Sequence, residues 1–289
     1  MKPAPFAYRA ARSAGEAAGL LAEPGAVVLA GGQSLLQELN FRIRRPRLVV
    51  DINGAADLDH LRVDGGELVI GALTRHAALE RTGLGDPLGR LLGLVARHVA
   101  HPPIRARGTF AGSIANADKA AEWCMLAVAL GARVTLVSAA GGTRTVPADG
   151  FFTGHLATVR RPDELVTEVR LPLLGPGTGT GFAEHRRTAA SFAMVAAVAT
   201  VRLDGDGRVE AVRAGLANAA DRPLRATAAE AVLLRQVPGP DLLDEAAAAA
   251  AGAAEPFDDP HCHGDYRAHL AGELTRRALE RALATAGAP

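Results

Sequence analysis

Ala30-Gly31-Gly32-Gln33-Ser34-Leu35 follows the apolar run Ala26-Val27-Val28-Leu29 and leads into the helix-like stretch Leu35-Leu36-Gln37-Glu38-Leu39. A strand, a glycine turn and a helix start aim several backbone N–H groups at one point. Small residues let the backbone come close there, and the positive end of the helix favours an anion such as phosphate. A second small-residue segment, Thr109-Phe110-Ala111-Gly112-Ser113, follows Arg105, Arg107 and Gly108. A dinucleotide carries two linked phosphates, so two converging turns of this kind would hold one pyrophosphate. Neither segment decides alone, because a glycine pair after a strand is most often an ordinary turn. Neither has the third glycine of a Rossmann fingerprint or a following Gly-Lys-Ser/Thr, which disfavours a nicotinamide-type Rossmann domain and a P-loop ATPase.

Composition narrows the classes further. With 289 residues the chain is long enough for a large core, and its length suggests two domains. Lys and Arg total 32 against 31 for Asp and Glu, which argues against a nucleic-acid surface. Apolar residues make up 48%, yet no uninterrupted run reaches membrane-spanning length. Met1-Lys2-Pro3-Ala4-Pro5-Phe6 lacks the apolar core of a signal peptide, so the expected compartment is the cytoplasm. Cys124 and Cys262 are the only cysteines, too few for a disulfide framework or a four-cysteine iron–sulfur site.

The apolar pattern predicts alternating elements. Helices are expected over Ser13–Leu21 and Ser34–Asn40, with strands over Val27–Leu29 and Leu48–Ile52, a small βαβ-like unit ending near Asn53. Next come a strand over Glu67–Gly71, helices over Thr74–Arg81, Leu88–Ala100 and Ala120–Leu130, and a strand over Arg133–Ser138. Leu174 to Gly181, rich in glycine and proline, reads as a linker or loop. Beyond it Ser191–Leu203 and Val209–Ala217 flank the hairpin signal Asp204-Gly205-Asp206-Gly207. Helical segments follow over Ala226–Leu234, Asp241–Ala254 and Gly264–Ala284. The fold class is α+β: domain 1–175, with subdomains about 1–53 and 54–175, then a sheet-and-helix domain over 176–289.

Other features carry less. His261-Cys262-His263 with His269 makes a poor zinc pattern, since no complementary ligand cluster accompanies it. Asp204 and Asp206 fit a two-residue hairpin turn better than a calcium loop. Cys124, inside Trp123-Cys124-Met125-Leu126, reads as core. His98 and His101 precede the second glycine segment and suit either a cofactor edge or simple packing. Arg42, Arg44, Arg45 and Arg47 read by default as a solvated face.

In combination and in this order, the segments resemble the FAD-binding (medium) subunit of molybdenum hydroxylases, the xanthine dehydrogenase and carbon monoxide dehydrogenase family. The resemblance spans nearly the whole chain. It continues through Leu48-Val49-Val50-Asp51-Ile52, Ile70-Gly71-Ala72-Leu73-Thr74, Ile104-Arg105, Thr109 to Asp118 and Phe151-Phe152-Thr153-Gly154. Thr158 to Glu164, Leu171-Pro172 and Tyr266-Arg267-Ala268-His269-Leu270 complete it.

What it implies can be carried over by position. Leu29, Ala30, Gly31, Gly32, Gln33, Ser34 and Leu35 would bind the FAD pyrophosphate from one side, and Thr109, Phe110, Ala111, Gly112 and Ser113 from the other. Ala100 falls where the family contacts the flavin or its linker. Glu122 would serve the adenosine half, where a carboxylate suits ribose hydroxyls, with Asn116 and Asp118 lining the same pocket. Val159 matches an adenine contact, and Glu184 lies where the C-terminal domain approaches the flavin. No catalytic side chain and no metal ligand is implied.

The chain departs from the family pattern in three places. Ala111 replaces a common glycine, tolerable only at negative φ. Lys119 stands where proline is common. Thr188-Ala189-Ala190-Ser191-Phe192-Ala193 replaces a pattern with arginine and Gly-Asp. The expected function is electron transfer from 2Fe-2S clusters of a small subunit, fed by a molybdenum-cofactor large subunit, through FAD to NAD, oxygen or another acceptor. Two alternatives stay open: a stand-alone FAD-dependent oxidoreductase acting on a small molecule, and a scaffold that has lost its flavin, for which Ala111 is the support.

Overall fold

The computed structural model describes residues 1–189 and 191–287. Three parallel strands open the chain: β1 (Ala7–Ala10), β2 (Ala26–Leu29) and β3 (Leu48–Asp51), in the order β1-β3-β2. Helix α1 (Ala14–Leu21) joins the first two and α2 (Leu35–Asn40) the last two. Ser13 starts α1 by accepting a hydrogen bond from the Glu16 N–H at 3.1 Å, while the Glu16 carboxylate takes the Arg12 N–H at 2.8 Å. The short strand β1 was not expected. Its four residues are exposed and form no apolar run, so only pairing with β3 identifies it as a strand.

Five antiparallel strands form the second sheet. They are β4 (Leu61–Asp64), β5 (Glu67–Gly71), β6 (Arg133–Ser138), β7 (Gly142–Pro147) and, after a small β8 (Phe152–Gly154) and β9 (Ala157–Thr158) hairpin, β10 (Leu165–Pro172). The order is β4-β5-β10-β6-β7, so the late strand β10 occupies the centre. Between β5 and β6 lie a 3-10 turn (His76–Arg81) and helices α3 (Pro87–Ala96), α4 (Pro102–Arg105), α5 (Phe110–Asn116) and α6 (Glu122–Leu130); α7 (Ala148–Phe151) precedes β8. The helix expected over Leu88–Ala100 stops at Ala96. Ala100 has a φ of +46° and Pro102 and Pro103 follow, which prevents continuation. Thr109–Ser113, expected as a turn, is instead a helix start.

The third sheet, β11 (Gly179–Arg186), β12 (Ala193–Leu203), β13 (Val209–Ala217) and β14 (Leu224–Arg225), is antiparallel in chain order. Helices α8 (Thr227–Leu233), α9 (Pro240–Ala253) and α10 (Gly264–Thr285) complete the chain. The stretch to Gly181 is a loop only as far as Thr178; Gly179 and Gly181 belong to edge strand β11. A Cβ at either position would overlap a backbone carbonyl of α10, at Ala282 and Ala278 respectively. These glycines therefore mark a helix lying directly on a strand. In the β12–β13 loop the Asp204 carboxylate accepts the N–H groups of Asp206 and Arg208, both at 2.9 Å, and Gly207 takes φ +76°.

Two apolar clusters hold these layers. On β12, Val195, Ala197, Ala199 and Val201 face one cluster with Leu270, Leu274 and Leu279 of α10. Ala196 and Val198 face the other, with Trp123, Met125 and the second sheet. All nine residues of α6 are buried, as expected of a helix enclosed on both sides. The parallel sheet and α5 therefore share one apolar cluster with α6, and the third sheet packs against α6.

Candidate functional site

The two glycine segments meet. Gly31, just after β2, approaches so closely that a Cβ there would lie 2.5 Å from Arg107 O and 2.6 Å from Gly108 Cα. Gly32 adopts φ +73°, which a non-glycine residue would hold only under strain. The N–H groups of Gly31, Gly32, Gln33 and Ser34 have no acceptor among the described residues. On the opposite side Thr109 caps α5, its hydroxyl accepting from the Gly112 N–H at 3.0 Å, and a Cβ at Gly112 would crowd that hydroxyl at 2.6 Å.

Two polar residues outside the glycine segments fix this seam. Asn53 donates to Ala30 O at 2.9 Å and accepts from Arg75 Nη2 at 2.7 Å; Arg75 Nη1 donates to Arg107 O at 2.7 Å. Asp51 orients Asn53 through its backbone and side-chain nitrogens and also accepts from the Tyr8 hydroxyl at 2.6 Å. Burial works against the Asp51 charge, but hydrogen bonds from Tyr8 and Asn53 outweigh it and the carboxyl lies below its usual range. Asn53 and Arg75 each stand directly after a family motif, Asp51-Ile52 and Leu73-Thr74. That adjacency is the only signal in the sequence that marks them.

The sequence-derived candidates fall into groups. Leu29, Ala30, Gln33 and Leu35 are half-buried around the first turn and Ser34 is exposed; Gln33 Nε2 donates back to Gly31 O at 3.0 Å. Phe110 and Ala111 are buried under the second segment, so only their backbone can face a ligand. Ala111 lies within α5 at negative φ, so its methyl adds no strain. Ser113 accepts at its carbonyl from the Cys124 thiol, which burial pushes well above its usual range. At the far end of α5, Asn116 is half-buried, and Asp118 accepts the Ala120 N–H at 2.9 Å in the turn before α6. Lys119 holds its ammonium 3.4 Å from the centre of the Phe257 ring. The β8–β9 loop closes onto α5 through Leu156 N–H to Ala117 O at 2.9 Å, and Val159 follows, its carbonyl taken by Arg144 at 2.9 Å.

A second group forms where the third sheet meets the end of α3. Glu184 is sealed, with Oε2 2.8 Å from His98 Nδ1 and 3.2 Å from Arg186 Nη2, while Oε1 has no partner among the described residues. Ala100 is held in its left-handed conformation by Arg105, which donates to the carbonyls of Val99 and Ala100 at 3.2 and 3.0 Å. Glu122 is 8% exposed; burial, and then the nearby Glu184 charge, pushes its carboxyl up to about 8. It is therefore protonated at neutral pH, able to donate as well as accept. Resemblance assigned Glu122 and Glu184 to opposite halves of the cofactor, yet the structure brings them within electrostatic reach of one another. Thr188 and Ser191, in the departing segment, bond each other through Ser191 Oγ at 2.9 Å; Ala190 lies outside the described residues.

The two segments thus form a split cradle, with amides unbonded among the described residues on one rim and a capped helix start on the other, an arrangement chemically suited to a diphosphate. Comparisons with known proteins give the family. Residues 4–174 match the FAD binding domain in molybdopterin dehydrogenase, and residues 180–282 match the CO dehydrogenase flavoprotein C-terminal domain. The chain belongs to this family of FAD-binding medium subunits. The 6-hydroxypseudooxynicotine dehydrogenase complex subunit alpha of Paenarthrobacter nicotinovorans is 37% identical, over 98% of this chain and 96% of that protein. The carbon monoxide dehydrogenase medium chain of Hydrogenophaga pseudoflava is 34% identical over 98% and 99%. Reconstituted CO dehydrogenase from Oligotropha carboxidovorans contains a chain that superposes with a TM-score of 0.95 at 33% identity, covering 99% of this chain and all of that one.

Proposed function

We propose that this chain is the FAD-carrying, electron-transferring subunit of a molybdenum hydroxylase-type dehydrogenase complex. It would work beside a molybdenum-cofactor large subunit and a 2Fe-2S small subunit. The observation that carries the reading is the contact of Gly31 with Arg107-Gly108, with four amides that are unbonded among the described residues on one rim and the capped start of α5 on the other. The fit to FAD is physical: only a glycine at position 31 lets the two rims meet, since a Cβ there would strike the Arg107 and Gly108 backbone, and the donors on the first rim are of the kind a diphosphate accepts. Bound there, FAD supplies the change from paired to single electron transfer that the protein's own side chains lack.

The residues have distinct tasks in this reading. Gly31 to Ser34 and Thr109 to Gly112 hold the diphosphate, and Asn53 and Arg75 keep the two rims in register. Asn116, Asp118 and Val159 serve the adenosine half, and Ala100 and Glu184 the flavin half. The FAD-binding part is assigned to 1–175 and the C-terminal part to 176–289. The acceptor is NAD or oxygen, and the compartment is the cytoplasm, in keeping with the lack of any described helix long and apolar enough to cross a membrane. Purification from the native source tests the assignment. Co-purification with molybdenum and iron–sulfur subunits, and flavin reduction that needs them, is the expected result; isolation alone, with direct reduction by a small molecule, would favour a stand-alone oxidoreductase.

A further inference from the structure

His76 is a buried titratable residue beside the cradle. It follows Arg75 and is 6% exposed. Its Nδ1 lies 3.0 Å from Trp123 Nε1. An indole nitrogen only donates, so Nδ1 must offer its lone pair, and a neutral ring then carries its proton on Nε2. Burial, reinforced by the charges of Arg105 and Arg75, pushes the imidazole down to about 4 and keeps it neutral at physiological pH. Arg105 is itself paired with Glu80 at 2.6 Å.

The Nε2–H has no acceptor among the described residues, whereas Nδ1 accepts from the Trp123 indole N–H. It is not sealed either, since the sealed side-chain polar atoms without a partner among those residues are His60 Nε2 and Glu184 Oε1. The small exposed part of His76 therefore includes Nε2. Its position is set by Gly108: a Cβ there would lie 2.7 Å from both Cδ2 and Nε2 of His76. Gly108 Cα is also the atom that Gly31 approaches from the first segment. The His76 N–H to Gly108 O bond, at 3.0 Å, ties the ring's own backbone to the same residue. A donor of fixed tautomer thus opens beside the seam where the two glycine segments meet.

We propose that His76 is a cofactor-binding residue whose Nε2–H donates to a phosphoryl oxygen of the FAD diphosphate, with Trp123 as the positioning residue that fixes its tautomer. The inference rests on the FAD reading above and adds a residue to it. A phosphoryl oxygen is the acceptor of choice because it is anionic and is the group both glycine segments address. The arginines supply the local positive charge, while His76 supplies direction without a charge that titrates near neutral pH.

The experiment uses the full chain stripped of FAD, labelled with 15N-histidine, and titrated with FAD. The His76 resonances, assigned by their loss in His76→Gln, are expected to show the Nε2-protonated form before titration. On binding, Nε2 and its proton shift, and the 31P resonances of bound FAD differ between wild type and His76→Leu. His76→Gln, which keeps a donor at similar reach, binds FAD within about threefold of wild type, and His76→Leu binds about ten- to a hundredfold more weakly, as expected for a lost hydrogen bond to a charged acceptor. Trp123→Phe is expected to fall between them, with the Nδ1-protonated form appearing in the spectrum. Unchanged Nε2 and 31P signals, or His76→Leu binding as tightly as a wild type that does bind FAD, would overturn the inference alone. A wild-type chain that takes up no FAD would overturn it together with the proposed function.

Discussion

Gly31→Ala is the sharpest perturbation of the cradle. Ordinary contact for a Cβ begins at 3.4 Å, and this one would lie 2.5 Å from Arg107 O, a shortfall of 0.9 Å. Both crowded atoms, Arg107 O and Gly108 Cα, are backbone. Arg107 O is pinned by Arg75 at 2.7 Å, and Gly108 O by the His76 N–H at 3.0 Å, so neither can retreat without breaking a bond. The rims must therefore separate by close to the full shortfall. Overpacking of this kind costs about 1–3 kcal/mol of stability. A displacement near 0.9 Å takes a 2.9 Å hydrogen bond beyond useful range, and one or two bonds to charged oxygens, each about 1.5–3 kcal/mol, are lost. FAD affinity should fall by about tenfold to ten-thousandfold. Gly19→Ala, inside α1 with nothing within 4 Å of the added methyl, is the control and should bind FAD normally. The assay is flavin fluorescence on titrating stripped protein, with thermal melts of both variants alongside. A Gly31→Ala chain that binds FAD like wild type and melts at the same temperature would refute the reasoning.

Three further outcomes follow from other parts of the molecule. Glu122 has its carboxyl raised to about 8 by burial, so folding takes up a proton above the ordinary carboxyl range; stability contributed by this site is full below about pH 4.5 and is lost as pH rises to about 8. Glu122→Gln should flatten that slope and gain on the order of a few kcal/mol relative to wild type at alkaline pH, read from denaturant unfolding of the apoprotein at stepped pH. Ala111→Gly, which restores the commoner family residue, should cost about 1 kcal/mol by weakening α5 and leave FAD affinity unchanged, because the position has helical φ. Arg267 is fully buried and donates to the carbonyls of Met194, Asn218 and Phe257 and to Asp259 at 2.5 Å. Arg267→Met should destabilise the chain by about 3 kcal/mol or more, seen as a lowered melting temperature; an unchanged one would mean the carbonyls find other donors.

Much of the architecture was legible because local pattern and final position agree. The first glycine turn lies between an apolar strand and a helix in sequence and in space, and the β12–β13 hairpin shows its turn residues directly. What was hidden depends on partners far along the chain. Gly179 and Gly181 read as a linker because α10, the backbone that forbids a side chain there, begins more than eighty residues later. Strand β1 has no apolar face of its own and is defined by its parallel pairing with β3. The candidate site shows the same division. Its glycines announce themselves by type, whereas Asn53 and Arg75 are ordinary polar residues whose value lies in the rim carbonyls they reach, Ala30 O and Arg107 O. The concern raised by Ala111 disappears for a related reason: helix α5 begins within the segment that reads as a turn, so the residue never needs positive φ. The flavin-free alternative loses its support at that point.

The absorption spectrum of the purified chain, with the released cofactor identified after denaturation, tests the central claim most directly. The account predicts flavin bands in the visible and FAD as the released molecule, with colour restored when stripped protein is given FAD. A colourless chain that stays colourless after incubation with FAD would contradict it.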